Sequence, residues 1–133
     1  MPGCVLRAAS ADFRVDDFLQ TTSLVPCDVY HKGEPRGLGG RLRERSGLTI
    51  LVSDADGNNL RQQVRDAIEF LERNRAEVSR LQSYIAPKEA ILDFGVWKTD
   101  NFGQFCYLPP ALLRLAGSLG LGIEVSIYAA PGD

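Results

Sequence analysis

The stretch from Leu60 to Ile85 restricts the architecture of this chain more than any other segment. Leu60, Val64, Ala67, Ile68, Leu71, Val78, Leu81 and Ile85 recur at three- and four-residue steps, which places them on one face of a helix. Arg65, Glu69, Arg73 and Glu77 stand four apart in alternating sign on another face, a spacing that adds a few tenths of a kcal/mol per ion pair. Val64, Leu71, Val78 and Ile85 also keep a seven-residue step, but a dimeric coiled coil wants more heptads and Asn74 interrupts this one. Such a helix buries its apolar stripe against another layer, so the flanking segments are expected to supply a sheet. Pro87 is expected to end the helix.

The flanks carry strand patterns. Val5, Arg7 and Ala9 alternate with Cys4, Leu6 and Ala8. Asp16-Asp17 before Phe18-Leu19 predict a short helix whose acidic start suits the helix dipole, and Pro26 closes that unit. Cys27 to His31 predict a second strand, and the β-branched run Leu48 to Val52, bounded by Gly47 and Asp54, a third, mostly buried one. Ala90 to Trp97 alternate as a strand, Thr99 to Gly103 read as a turn, and Gln104 to Leu108 as its returning partner. Pro109-Pro110 open a helix over Leu112 to Leu119, with Gly120 placed to terminate it. Ile123, Val125 and Ile127 alternate in a last strand. The expected order is β-α-β-β-α-β-β-α-β. It predicts an α+β fold with a mainly antiparallel sheet and helices packed on one face, its first six elements in ferredoxin-like order. A length of 133 residues fits one domain, 1–133.

Several of these segments together are similar to a known family. Leu24-Val25-Pro26, Lys32-Gly33-Glu34-Pro35-Arg36-Gly37, the long charged helix, Leu108-Pro109-Pro110-Ala111-Leu112-Leu113 and Leu119 through Tyr128 resemble the bacterial family catalogued as domain of unknown function 4279. Members often carry a tryptophan in the strand after the Gly/Arg passage, where this chain has Leu48. The resemblance implies a small bacterial α+β domain and brings no reaction, ligand or catalytic residue.

Charge and cysteine content narrow the function. Fifteen Lys+Arg against 17 Asp+Glu give a formal net charge of −2, which removes the broad electrostatic case for DNA or polybasic membrane binding. The opening residues lack a basic stretch followed by an apolar run, and no window approaches the roughly 18 to 20 apolar residues of a membrane span, so neither a secretory signal nor a span is expected. Cys4, Cys27 and Cys106 are scattered and the chain has one His, a poor supply for zinc; reduced thiols in a cytoplasm are expected, with no metal and no cofactor.

Two segments carry candidate contact chemistry. Lys32, Arg36, Arg41, Arg43 and Arg45 are interleaved with Gly33, Gly37, Gly39 and Gly40, residues whose backbone N–H groups and guanidinium forks suit anions. The order matches no phosphate-loop motif and a strand follows it, so a flexible, solvated connection is expected, with contact to an anion, an acidic protein or RNA as the functional alternative and the acidic partner preferred, since no base-stacking aromatics stand among these arginines. Trp97, Phe102, Phe105 and Tyr107 flank the turn at Asn101. Core packing across a hairpin is expected of them, and an anchor for a protein partner if they face outward. Asp54 to Asn58 fail the calcium-loop pattern, because Asn59 stands where glycine is needed and Arg65 where the bidentate Glu is needed; helix capping by Asn58 or Asp56 is expected instead. His31 is the one side chain for neutral-pH general-base chemistry, with Cys or Asp as its partner. The reading that results is a non-enzymatic macromolecule-recognition domain, of which an immunity-type protein binding a toxin domain is one form. It uses Lys32, Gly33, Arg36, Arg41, Arg43, Arg45, Trp97 and Phe102, and a dimer is allowed. A small hydrolase or transferase at His31 and an anion-binding module at the Gly/Arg passage are the alternatives.

Overall fold

A computed structural model describes residues 3–86 and 90–130. The elements run β1 (Cys4–Ser10), α1 (Val15–Leu19), β2 (Asp28–Tyr30), β3 (Ser46–Ser53), α2 (Leu60–Arg73), α3 (Arg75–Gln82), β4 (Ile91–Trp97), α4 (Pro110–Ser118) and β5 (Gly122–Tyr128). The strands form one five-stranded sheet in the order β2-β3-β1-β4-β5. Three neighbouring pairs are antiparallel and one, β4 with β5, is parallel, so the sheet is mixed though mostly antiparallel.

Period-two burial explains the layering. Cys4, Leu6, Ala8 and Ser10 of β1 point into the core, as do Leu48 and Ile50 of β3 and Leu92, Phe94 and Val96 of β4. On them pack Phe13, Val15 and Phe18 around α1, Val64, Ala67 and Leu71 of α2, Val78 and Leu81 of α3, and Leu112, Leu115 and Ala116 of α4. Ser10 and Val96 apart, these residues form a single cluster. The other sheet face carries Arg7, Asp93, Glu124 and Ser126. Arg7 bridges Asp93 at 3.3 Å and Glu124, and the Ser126 hydroxyl donates to Asp93 Oδ1 at 2.7 Å.

Two expectations are corrected here. The long helix is two helices, α2 and α3, separated by Asn74 at φ −116°, ψ 24°. The Asn74 side-chain amide donates to Phe70 O at 2.9 Å, the carbonyl that also accepts the Asn74 backbone N–H, and this local bonding competes with regular helix. Ile85 remains buried beyond α3, while the expected stop at Pro87 lies outside the described residues.

Residues 104–108 form no strand, so the observed order is β-α-β-β-α-α-β-α-β. The sheet itself forbids the expected hairpin. β5 covers one edge of β4 along its whole length, β1 covers Ile91–Phe94 on the other, and beyond β1 the Gly95 and Trp97 N–H groups donate to Gly3 O and Gly57 O, so the edge is already committed before a returning partner could pair. The segment is closed instead by Gln104, whose Nε2 donates to Trp97 O at 2.7 Å and whose Oε1 accepts from Thr99 N at 3.2 Å.

Candidate functional site

The failed hairpin creates the most distinctive surface of the molecule. With no strand to pair with, residues 98–109 cross over the N-terminal end of α2, and their rings turn outward. Phe102 is fully exposed, Phe105 is 93% exposed and Tyr107 is 73% exposed, so the expected core packing of these aromatics is overturned. Trp97, at the end of β4, is half-buried, and its Nε1 donates to Asp56 Oδ1 at 2.8 Å. Phe105, Tyr107 and Pro109 form one wall of a groove of about 710 Å³, and Leu60, Val64 and Ile68 of α2 line the other. Arg61 and Arg65 stand on that wall too. Among the described residues neither closes an ion pair, because the alternating ladder forms only at Arg73–Glu69, while Glu77 turns to Arg80. A second hollow of about 340 Å³ adjoins the first, sharing Asn58, Leu60 and Phe105 and adding Trp97 and Cys106.

The floor of this region is pinned by polar contacts absent from the sequence-based reading. Asn59, not Asn58 or Asp56, caps α2, accepting from Gln62 N at 3.2 Å. Asp56 Oδ1 accepts from Asn58 N instead. Gln63, wholly buried, donates from Nε2 to Gly95 O at 2.8 Å and to Ala55 O and Asp56 O at 3.2 Å each, tying α2 to the loop and to β4. Its burial has a sequence signal, since Gln63 shares a helical face with Ala67 and Leu71. Arg61 carries no such signal, and Arg65 reads only as the first member of the alternating charged face.

The Gly/Arg passage is an ordered arm that continues the β2–β3 hairpin. Gly33 N donates to Arg43 O at 2.8 Å, Arg43 N to Glu34 O at 2.7 Å, and Arg36 N to Arg41 O at 2.7 Å. It is solvated, as expected, but cross-strand bonded along its length. Arg43 stacks on the Tyr30 ring at 4.4 Å, and that ring lies over Gly47, where an added Cβ would collide with the Tyr30 hydroxyl and stand 2.9 Å from Ala8 O. Tyr30, Arg36, Arg43, Glu44 and Arg45 surround a depression of about 350 Å³. Among the described residues, Lys32, Arg36, Arg41, Arg43 and Arg45 form no ion pair. The arm leaves the sheet where β3 begins, whereas the aromatic groove lies beyond its end. The structure therefore separates Lys32, Gly33, Arg36, Arg41, Arg43 and Arg45 from Trp97 and Phe102 by the length of β3, roughly 25 Å at about 3.3 Å per residue.

His31, at the base of the arm, meets carboxylates on both sides. Its Nε2 lies 2.9 Å from Asp16 Oδ1 and its Nδ1 3.2 Å from Glu34 Oε1. The Asp16 hydrogen bond first, and Glu34 second among the attractive contacts, raise its pKa above the ordinary value, while the backbone N–H and ring of His31 lower that of Glu34. With a carboxylate at each nitrogen, the imidazole, when protonated, ties α1 to the arm as a clasp. Among its hydrogen-bond partners there is no cysteine. Cys4 is buried, and desolvation pushes its thiol pKa far up; the Cys27 thiol donates to Thr49 O at 3.4 Å. Among the described residues no group of three or more His, Cys, Asp or Glu side chains is placed to hold a metal ion, and no helix is long and apolar enough to cross a membrane.

A family model described as "Domain of unknown function (DUF4279)" matches residues 3–130. No curated protein and no solved structure gives a significant match to the chain.

Proposed function

This chain belongs to the DUF4279 family, and from its surface we propose that it is a non-enzymatic recognition domain whose principal contact is the aromatic groove. One observation carries the reading: Phe105 and Tyr107, both exposed, line an apolar groove flanked by Arg61 and Arg65, and Phe102 stands exposed on the same loop. Exposed rings around an apolar cleft are costly in water and suit the buried centre of a protein interface, where aromatic and arginine side chains dominate. Arg61 and Arg65, which form no ion pair among the described residues, favour a partner segment that carries carboxylates beside its apolar anchor. In its finer form the proposal is an immunity-type protein of a bacterial cytoplasm that blocks a toxin domain. The compact fold, the basic arm and the spare rings support it. We also take β1 to β4 with α1, α2 and α3 as a ferredoxin-like unit to which β5 is added beside β4; the β2-β3-β1-β4 neighbour order supports this.

A second reading, an anion site on the arm, is favoured by Arg36, Arg43 and Arg45 around one depression. A hydrolase or transferase at His31 is the weaker alternative, since carboxylates occupy both ring nitrogens at an open surface. Affinity purification from the source organism separates them. A protein retained by the wild type should be lost by F102S/F105S/Y107S and kept by R41A/R43A/R45A; the reverse pattern would move the site to the arm.

A further inference from the structure

We propose that two copies of this chain pair antiparallel through the outer edge of β5, about a two-fold axis at Val125, to form a continuous ten-stranded sheet. Along a strand, the N–H and C=O of one residue point to the same side, and the side alternates with each residue. Gly122 N donates to Ala90 O at 3.0 Å and Tyr128 O accepts from Lys98 N at 2.7 Å. Gly122, Glu124, Ser126 and Tyr128 therefore bond inward to β4, and Ile123, Val125 and Ile127 turn their N–H and C=O groups away from the sheet. Among the described residues none of these outward groups has a partner.

Exposed sheet edges normally carry a guard such as a lysine, a proline, a bulge or extreme shortness. β5 has none of these: its pairing with β4 runs unbroken over seven positions. Its one charge, Glu124, is paired on the helix-free face with Arg7, a cation it shares with Asp93. The opposite edge, β2, spans three residues and is protected by shortness.

The sequence of β5 fits itself. Outward-bonding residues must face outward-bonding residues, and of the registers this permits, the one centred on Val125 pairs the whole strand. Val125 then stands opposite Val125 of the second copy, Ile123 opposite Ile127, Glu124 opposite Ser126, and Gly122 opposite Tyr128. Ile127, now 57% exposed, gains an isoleucine as its cross-strand neighbour on the helix-bearing face, and no like charge stands directly opposite Glu124. A second copy thus supplies both the missing hydrogen bonds and the matching side chains.

Sedimentation equilibrium of the full chain tests this. The expected mass is twice 14.6 kDa, falling towards the monomer on dilution. Ile127→Pro removes an outward N–H that the β4 ladder does not use, and Ile127→Lys keeps the backbone but adds an edge guard. Each should weaken the dimer at least about tenfold while the circular dichroism spectrum stays native. If the proline variant does not fold, the lysine variant decides. A wild-type monomer at near-millimolar concentration, or a dimer indifferent to the lysine substitution, would overturn the proposal. Neither variant touches the aromatic groove, so the outcome is independent of the function assigned to it.

Discussion

Replacing Gln63 by Met should destabilise the protein sharply although the side chain has no part in any surface. Its Nε2 sits among three carbonyl oxygens, Gly95 O at 2.8 Å and Ala55 O and Asp56 O at 3.2 Å each. An amide nitrogen carries two hydrogens, so two of these bonds can be made at full strength. A lost bond costs about 1 kcal/mol net, and a carbonyl left dry costs about 1 to 3 kcal/mol. Methionine also removes Gln63 Oε1, a buried acceptor with no partner, which offsets about 1 kcal/mol. The sum is a loss of about 2–4 kcal/mol. At about 2.1 cal/mol/K per residue, the unfolding entropy of this chain is roughly 0.28 kcal/mol/K, so Tm should fall by about 7–14 °C. Calorimetry, with a urea titration showing an unchanged m-value, reads this directly. A fall below about 2 °C would mean that the clamp between α2, the 54–59 loop and β4 does not hold as described.

The His31 clasp predicts a pH signature. The raised pKa of His31 contributes stability that is fully present below its ordinary value of 6.5 and lost as pH rises through the folded value above it. The lowered pKa of Glu34 contributes stability present above its ordinary value of 4.5 and lost as pH falls through the folded value. Wild type minus His31→Ala, compared by urea denaturation across pH, should therefore be largest between these two values and shrink on either side; a flat difference would refute the clasp. The arm variant R41A/R43A/R45A should lose only the Arg43–Tyr30 stacking, about 0.5–1 kcal/mol or roughly 2–4 °C in Tm, and a loss above about 8 °C would make the arm structural. Gly47→Ala, by contrast, should cost more than the whole triple change, because the new methyl meets Tyr30 and Ala8 O; equal melting temperatures would contradict that packing.

Most of the scaffold was legible because two periodicities were clean. Alternation over Cys4–Ser10, Ile91–Trp97 and Gly122–Tyr128 marked strands, and Leu60, Val64, Ala67 and Leu71 marked the face that α2 buries. What failed depended on neighbours that the local pattern does not contain. Gln104–Leu108 alternate like a strand, but whether they can be one was decided by β5, which arrives later in the chain and takes the free edge of β4. The same non-local event turned Phe102, Phe105 and Tyr107 from expected core into surface, and so the groove was illegible although Trp97 and Phe102 were named as contact residues should the rings face outward. The break at Asn74 was visible as a polar residue in an apolar seam, though not as a change of helix.

The measurement closest to the heart of this account is the equilibrium stability of the double variant F105S/Y107S beside Phe94→Ala. Because Phe105 and Tyr107 are exposed and Phe94 is wholly buried, the double variant should stay within about 1 kcal/mol of wild type while the single one loses about 3–5 kcal/mol. Comparable losses in the two would show that the rings help hold the fold together, and would leave the groove without spare surface to offer a partner.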